Sequence, residues 1–481
     1  MKGFVQEMRG WHAVMAGIVV FAALMGRAVP ASALPLKLFP SSFPEACAHQ
    51  RLVFGPRDSM WFLLRDCVVR PGLEQLSGIG RLPINDPRPQ LVLRLKALPN
   101  DLTVGSEGDL WFTEGTAIDS ENESPGIGRL TAGGQLTQFP TPVHPNLPYT
   151  LHEQVEQIIP GPENDLWFIA NGFGGNVLSR INPAGALSQF PAQQVLIGGH
   201  EESKGDEVPR ALARAANGNL WMGEYFEAGT IGLVEPGGIV RQVRVGEPGQ
   251  GPVTPADPMV GTPDGGVWFV EQSGFTQVGP EGAVLSHVSV KEGVGRSFTG
   301  SVATTGNDVL WVTEQEAGEV LKRVTSTGEF GELVFCSSNE TPEEMTVGPE
   351  GDLWFGARTG KDFGRLDLAR LTRELERERT QVRICRAKAT SRSLRARVAC
   401  ESLNLSNACD YQATVTLANA PRKVIGVGRF VGRALPEPEG LSVPLRPIVR
   451  SLLRQHKRLR LRLTLRSGAH VAARSFVVLR G

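Results

Sequence analysis

The sequence predicts an all-β protein: a seven-bladed β-propeller closed by an N-terminal strand, followed by a small β-sandwich-like C-terminal domain. Three observations carry that expectation. Seven tryptophans, Trp61, Trp111, Trp167, Trp221, Trp268, Trp311 and Trp354, follow one another at intervals of 50, 56, 54, 47, 43 and 43 residues. Glycine is 56 of 481 residues, about 12% where roughly 7% is usual, and 34 prolines add further turns. From residue 381 onward the composition becomes strongly basic, and apolar and polar residues alternate. With 41% hydrophobic residues the chain has enough apolar surface for a core, which excludes disorder as a whole.

The first element is a targeting segment. Lys2 and Arg9 precede an apolar run from Met15 to Gly26, and Ala31-Ser32-Ala33 forms a small-x-small cleavage site. That order describes a secretory signal peptide over residues 1–33. About a dozen apolar residues fall short of the roughly 20 needed to span a bilayer. An exported mature chain from Leu34 is expected, with no membrane span after cleavage. Export favours disulfides among Cys47, Cys67, Cys336, Cys385, Cys400 and Cys409. Six cysteines allow 15 pairings. Cys47–Cys67 and Cys400–Cys409 are the candidates close in sequence, which would leave Cys336 and Cys385 to tie two regions together.

The propeller follows, over residues 34–368. Each tryptophan sits in a phrase such as SEGDLWFTE (106–114), PENDLWFIA (162–170) or PEGDLWFGA (349–357). A second phrase follows at a distance, as IGRL at 79–82 and 127–130, LSRI at 178–181 and FGRL at 363–366. A third closes some units, as LTQFPTP at 136–142 and LSQFPAQ at 187–193. Units of about 45 residues with four short β segments between turn residues describe propeller blades. A large flat indole at a fixed place suits packing between neighbouring blades. The seventh unit ends at FGRLD (363–367) without a closing strand, and Leu34–Pro40 reads like the closing phrase. This N-terminal segment is therefore expected to supply the missing strand and remove an open sheet edge.

The phrases G-D-L-W-F-T-E, I-G-R-L-T and L-T-Q-F-P-T-P, in that order, resemble the virginiamycin B lyase family over roughly 34–368. The resemblance implies a seven-bladed propeller that opens streptogramin B antibiotics by a magnesium-dependent elimination. It also implies catalytic histidines in Pro-His-x-Ile segments at the start of the innermost strands of the last two blades. The matching segments here are Phe298–Val302 and Pro342–Met345, where Gly300 and Glu343 occupy the histidine places. The places of the neighbouring metal-binding glutamates hold Thr341 and Arg358. Losing an acid/base imidazole removes roughly 10²–10⁴-fold from a proton-transfer step. The favoured expectation is therefore a ligand-binding scaffold. A lyase with a rearranged site is the alternative, as is a metal-dependent lactone hydrolase, although that class typically has six blades.

Glu114, Glu224, Glu271 and Glu314 each end a tryptophan phrase and are candidates for an oxygen-rich Mg²⁺ or Ca²⁺ site. Four copies also fit a repeat consensus in which each carboxylate accepts backbone or arginine hydrogen bonds within its own blade. Glu156, Asp257 and Glu343 begin inner strands nearby. Two insertions interrupt the repeat: 141–155 with His144 and His152, and 197–209 with His200 and Glu201. Loops on a rigid scaffold are common places for binding chemistry, so His152, His200 and Glu201 are weak acid/base candidates.

Leu368, Leu371 and Leu375 have helical spacing and mark a linker over 369–380. Residues 381–481 hold 20 Lys+Arg against 4 Asp+Glu, a net of +16. The segments Tyr411–Leu417 and Leu459–Leu465 alternate as half-buried strands do. A field of this sign suits an anionic polymer, or docking on the acidic propeller. No aromatic ladder is interleaved for stacking bases, so no specific nucleic acid is expected. A small molecule or cell-surface polymer at the propeller face, and a monomer, complete the expected partners.

Overall fold

The computed structural model describes residues 34–41, 43, 48–70, 74–115, 126–140, 154–172, 175–190, 209–224, 230–235, 237–245, 256–271, 274–289, 300–313, 320–360, 362–378, 380–402, 408–433, 438–467 and 470–480. The expected signal segment over 1–33, Cys47, His144, His152, His200, Glu201 and Glu314 lie outside them.

Seven four-stranded antiparallel sheets succeed one another along the chain. The first is Ala48–Gly55, Ser59–Arg70, Glu74–Pro83 and Gln90–Leu95; the second is Pro99–Val104, Leu110–Glu114, Gly126–Leu130 and Leu136–Pro140. The third is Gln154–Pro160, Leu166–Gly172, Gly175–Ile181 and Leu187–Phe190; the fourth is Pro209–Arg214, Leu220–Glu224, Thr230–Val234 and Val240–Arg244. The fifth is Ala256–Gly261, Val267–Glu271, Gly274–Val278 and Val284–Ser289; the sixth is Val302–Thr304, Val309–Thr313, Val320–Thr325 and Phe330–Val334. The seventh takes Pro342–Val347, Leu353–Ala357 and Asp362–Leu366 from its own stretch and Leu36–Pro40 from the N-terminus. The registers Leu36↔Leu366 and Phe39↔Phe363 fix this closure.

The tryptophans show how the sheets join. Trp61 packs with Leu102, Leu110 and Phe112 of the second sheet, and Trp111 with Val155, Ile158 and Phe168 of the third. The series continues to Trp354, which packs with Leu52, Met60 and Phe62 of the first sheet. Each indole thus fills the space between one sheet and the next, and the last returns to the first. The first strands also adjoin one another around a ring, with Pro342–Val347 returning to Ala48–Gly55.

The repeated phrases resolve into a layered stack on three of the indoles. Phe139 lies flat on Trp111 with ring centres 5.5 Å apart, Arg129 covers the indole at 5.4 Å, and Asp109 and Glu107 hold the guanidinium. The same set recurs as Phe190, Trp167, Arg180 and Glu163. In the seventh sheet it is Phe39, Trp354, Arg365 and Asp352, with the phenylalanine supplied by the N-terminal strand. The glycine of I-G-R-L is required by contact: a Cβ on Gly128 would lie 2.0 Å from the Phe112 ring.

After the ring comes the helix Leu368–Glu378, which begins one residue before the expected linker over 369–380. Its Leu368, Leu371 and Leu375 are buried with Leu333, Phe335 and Leu353 of the last two sheets. The Asp367 carboxylate accepts from the Arg370 amide at 2.7 Å, capping the first turn.

The C-terminal region consists of two sheets that enclose one apolar core. One has three strands, Gln381–Ala389, Ser393–Glu401 and Glu439–Pro444; the other has four, Ala420–Arg433, Ala408–Leu417, Arg458–Ser467 and His470–Arg480. In L-R-L-R-L the leucines Leu459, Leu461 and Leu463 turn into that core. The helix Ile448–His456 lies beside the strand Arg458–Ser467. Disulfides join Cys400 to Cys409 within this region and Cys336 to Cys385 across to the ring. Cys67 is disulfide-bonded as well.

Candidate functional site at the ring axis

The first strands cannot hydrogen-bond to one another side by side, so side chains tie them together. The Asp101 carboxylate is buried; it accepts from the guanidinium of Arg51 in the first sheet and from the Ile158 amide in the third at 2.8 Å. Gln157 donates to the Leu212 carbonyl at 2.8 Å and accepts from the Leu212 amide at 2.7 Å. The Ser301 hydroxyl accepts from the Met345 amide at 3.1 Å. Arg51 is the unpaired residue of a bulge in its first strand, Asp101 and Gln157 each directly follow such a bulge, and Ser301 stands just ahead of its strand. A bulge turns an extra side chain away from the sheet, here toward the axis.

The first strands and the residues just ahead of them bring together side chains far apart in sequence. A cavity of about 380 Å³ is lined by Arg51, Gln157, Met259, Gly300, Ser301 and Glu344, among others, from five of the seven sheets. Its polar groups offer a guanidinium, a carboxylate, an amide and a hydroxyl. That volume lies in the range of small-molecule sites.

Gly300 lines this cavity without a side chain. A Cβ built on it would meet the Thr313 carbonyl oxygen at 2.2 Å and the Thr313 hydroxyl at 2.4 Å. No residue larger than glycine fits on this backbone, histidine included. Glu343 is half-buried; burial raises its pKa, and Arg358 opposes the rise. Thr341 is fully buried, with its hydroxyl donating to the Ser337 carbonyl at 3.1 Å and its carbonyl accepting from the Arg358 amide. An arginine beside Glu343 supplies positive charge from the chain itself.

The tryptophan-phrase carboxylates that the structure describes look inward to their own sheets. Glu114 is buried and accepts from the Gln138 amide at 2.9 Å. Glu271 is buried against the Thr276 hydroxyl, with His287 Nδ1 3.5 Å away. The partners are side chains of the same sheet, where the repeat reading expected backbone or arginine donors. Glu224 ends its strand, and nothing is described of its side chain. Among the described residues no three His, Cys, Asp or Glu side chains group closely enough to hold a metal ion. The sequence reading missed Arg51, Asp101, Gln157 and Ser301, which share no phrase; their common signal is a polar residue in or just ahead of the first strand in four of the sheets.

Comparison with known proteins shows what the ring is similar to. A profile of the Virginiamycin B lyase family matches residues 195–377. A virginiamycin B lyase of Nocardia farcinica (strain IFM 10152) is 26% identical over 255 residues, covering 53% of this chain and 75% of that one. The ring is virginiamycin B lyase-like. Among solved structures, a catalytically inactive virginiamycin B lyase from Staphylococcus aureus with quinupristin matches with a TM-score of 0.50 at 20% identity. That match covers 69% of this chain and 98% of the other and shows a shared fold. A streptogramin B lyase structure matches with a TM-score of 0.49 at 20% identity, covering 69% of this chain and 97% of that one.

Proposed function

We propose that this is an exported, monomeric ligand-binding protein: a closed seven-bladed propeller of the virginiamycin B lyase-like kind joined to a β-sandwich-like module. In this reading the axial cavity receives a small polar molecule and performs no elimination of the lyase type. One observation carries it: Gly300 lines the cavity with no room for a Cβ, so the place of an acid/base imidazole is closed by the Thr313 carbonyl. Arg358 beside Glu343 supports the same reading, because a guanidinium there offsets carboxylate charge without a metal ion. The disulfides fit an oxidising compartment, and no described helix is long and apolar enough to cross a membrane.

The test is incubation with quinupristin and Mg²⁺, read by chromatography and mass. Elimination opens the ring without changing the mass, whereas lactone hydrolysis adds one water, so the two alternative chemistries separate. Quinupristin recovered intact, with and without Mg²⁺, is the expected result; Mg²⁺-dependent opening would overturn the reading. A thermal midpoint raised by Mg²⁺ or Ca²⁺, with the rise abolished by Glu271→Ala, would instead support a cation held with the help of Glu271.

A further inference from the structure

Between residues 440 and 481 there are 10 Lys+Arg and no Asp or Glu. Six of these arginines lie on the last two strands, Arg458, Arg460, Arg462, Arg466, Arg474 and Arg480. The leucines between them fill the core, so the register leaves the arginines to the opposite face of the four-stranded sheet. Arg458 stands across from Arg480, and Arg462 across from Phe476. An outward acid on the adjoining strand, Asp410, is already engaged by Arg429. Among the described residues the main contacts with the ring run instead through the three-stranded sheet, from the strand Ser393–Glu401 and from Arg383. Docking on the propeller therefore does not account for this charge.

The same face exposes apolar side chains. Phe476 is 47% exposed, Val478 40%, Val427 57% and Val431 61%. Arg460 and Arg462 both lie over the Phe476 ring, at 4.5 and 5.1 Å from its centre. Stacking holds the two guanidinium planes in place before any partner arrives. At the end of the sheet a groove of about 540 Å³ opens between the helix Ile448–His456 and the turn at Ala418 and Asn419. Its walls are Leu417, Leu452 and Leu459, and His456, Arg458 and Arg460 also line it. A soluble polyanion would account for the arginines and leave the exposed valines and phenylalanine without a role. A lipid surface accounts for both, because guanidinium groups pair with headgroup phosphates while apolar side chains enter the boundary between headgroups and acyl chains.

We propose that this outward face, with the groove at its end, docks the protein on the phosphate headgroups of an anionic lipid bilayer. The inference does not depend on what the propeller binds. The test is co-sedimentation of the purified protein with vesicles of phosphatidylcholine alone and of phosphatidylcholine with phosphatidylglycerol. Binding is expected only to the anionic vesicles. Replacing Arg458, Arg460 and Arg462 together by Gln should weaken it roughly 100-fold, at about fivefold for each charge near the surface. Removing the same charge at the middle strand of the other sheet, by Arg392→Gln, Arg395→Gln and Arg397→Gln, should leave it close to unchanged. Phe476→Ser should weaken binding with no change in charge. The thermal midpoint confirms that each variant is folded; if the face triple is not, Arg460→Gln alone carries the comparison. Equal binding to both vesicles, no binding to either, or equal loss in the two triple variants would overturn the proposal. So would binding of soluble polyphosphate by a protein that ignores the anionic vesicles.

Discussion

A pair of buried charges makes a residue-scale prediction. Lys322 and Glu332 face each other in register on neighbouring strands of the sixth sheet, and both are almost wholly buried. Burial pushes the Glu332 carboxyl up to about 7 and pulls the Lys322 ammonium down to about 8; each partner's charge opposes the other's shift. The folded chain therefore keeps a proton on Glu332 that the unfolded chain releases above its ordinary value of 4.5. Stability from this group is fully present below that value and is lost as pH rises through about 7. The lysine acts in the opposite sense and at higher pH, because a lowered pKa recovers stability only above about 8. Glu332→Gln should match the wild type near pH 5 and become the more stable protein by up to a few kcal/mol near pH 7. Urea unfolding at the two pH values measures this, and a constant difference between them would show that Glu332 is ionised throughout.

At the scale of elements, the stacked unit explains what the sequence made legible. The tryptophan interval revealed the sheets because a blade has one place for a large flat side chain. The resemblance of Leu36–Pro40 to Leu136–Pro140 revealed the closing strand because both set a phenylalanine on the sheet's indole. The arginine that completes each stack was hidden, since I-G-R-L read only as a strand. The axial cavity was hidden for a different reason: Arg51 and Glu344 line it from opposite ends of the propeller sequence, and only ring closure makes them neighbours. The histidines singled out on loops, His152 and His200, lie outside the described residues. A test at this scale is Phe39→Ala, which removes a ring that is 5% exposed and stacked on Trp354 at 5.7 Å. A loss of roughly 3 kcal/mol in unfolding free energy is expected. Deleting residues 34–40 should go further, leaving the edge of Asp362–Leu366 unpaired and prone to association in light scattering. Unchanged stability in both variants would mean that the ring closes without this strand.

For the whole molecule, the question is whether ring and C-terminal region unfold as one. Domain interfaces inside a chain are usually polar enough to allow relative motion. Here the join has a buried ionic centre. Glu401 has no exposed surface, and Arg383 donates to it at 2.7 Å while also reaching the Val334 carbonyl at 2.6 Å in the ring and Glu340 at 3.3 Å. Burial still holds the Glu401 carboxyl above its usual range despite that arginine. The Cys336–Cys385 bond and an antiparallel bridge between Glu332 and Ser402 reinforce the contact. The two kinds of tie should fail differently. Replacing both cysteines by Ser frees the unfolded chain, a loss of about 2–4 kcal/mol, and leaves the folded contact in place. One calorimetric transition at a lower midpoint is therefore expected. Adding Arg383→Ala leaves Glu401 buried without its cation, which costs about 3–5 kcal/mol at the join itself. The single transition should then split in two, with the C-terminal region melting apart from the ring. A single transition in that triple variant would show that the apolar contacts of Leu371 and Leu375 couple the two parts, and that the ionic centre serves only to satisfy its own charges.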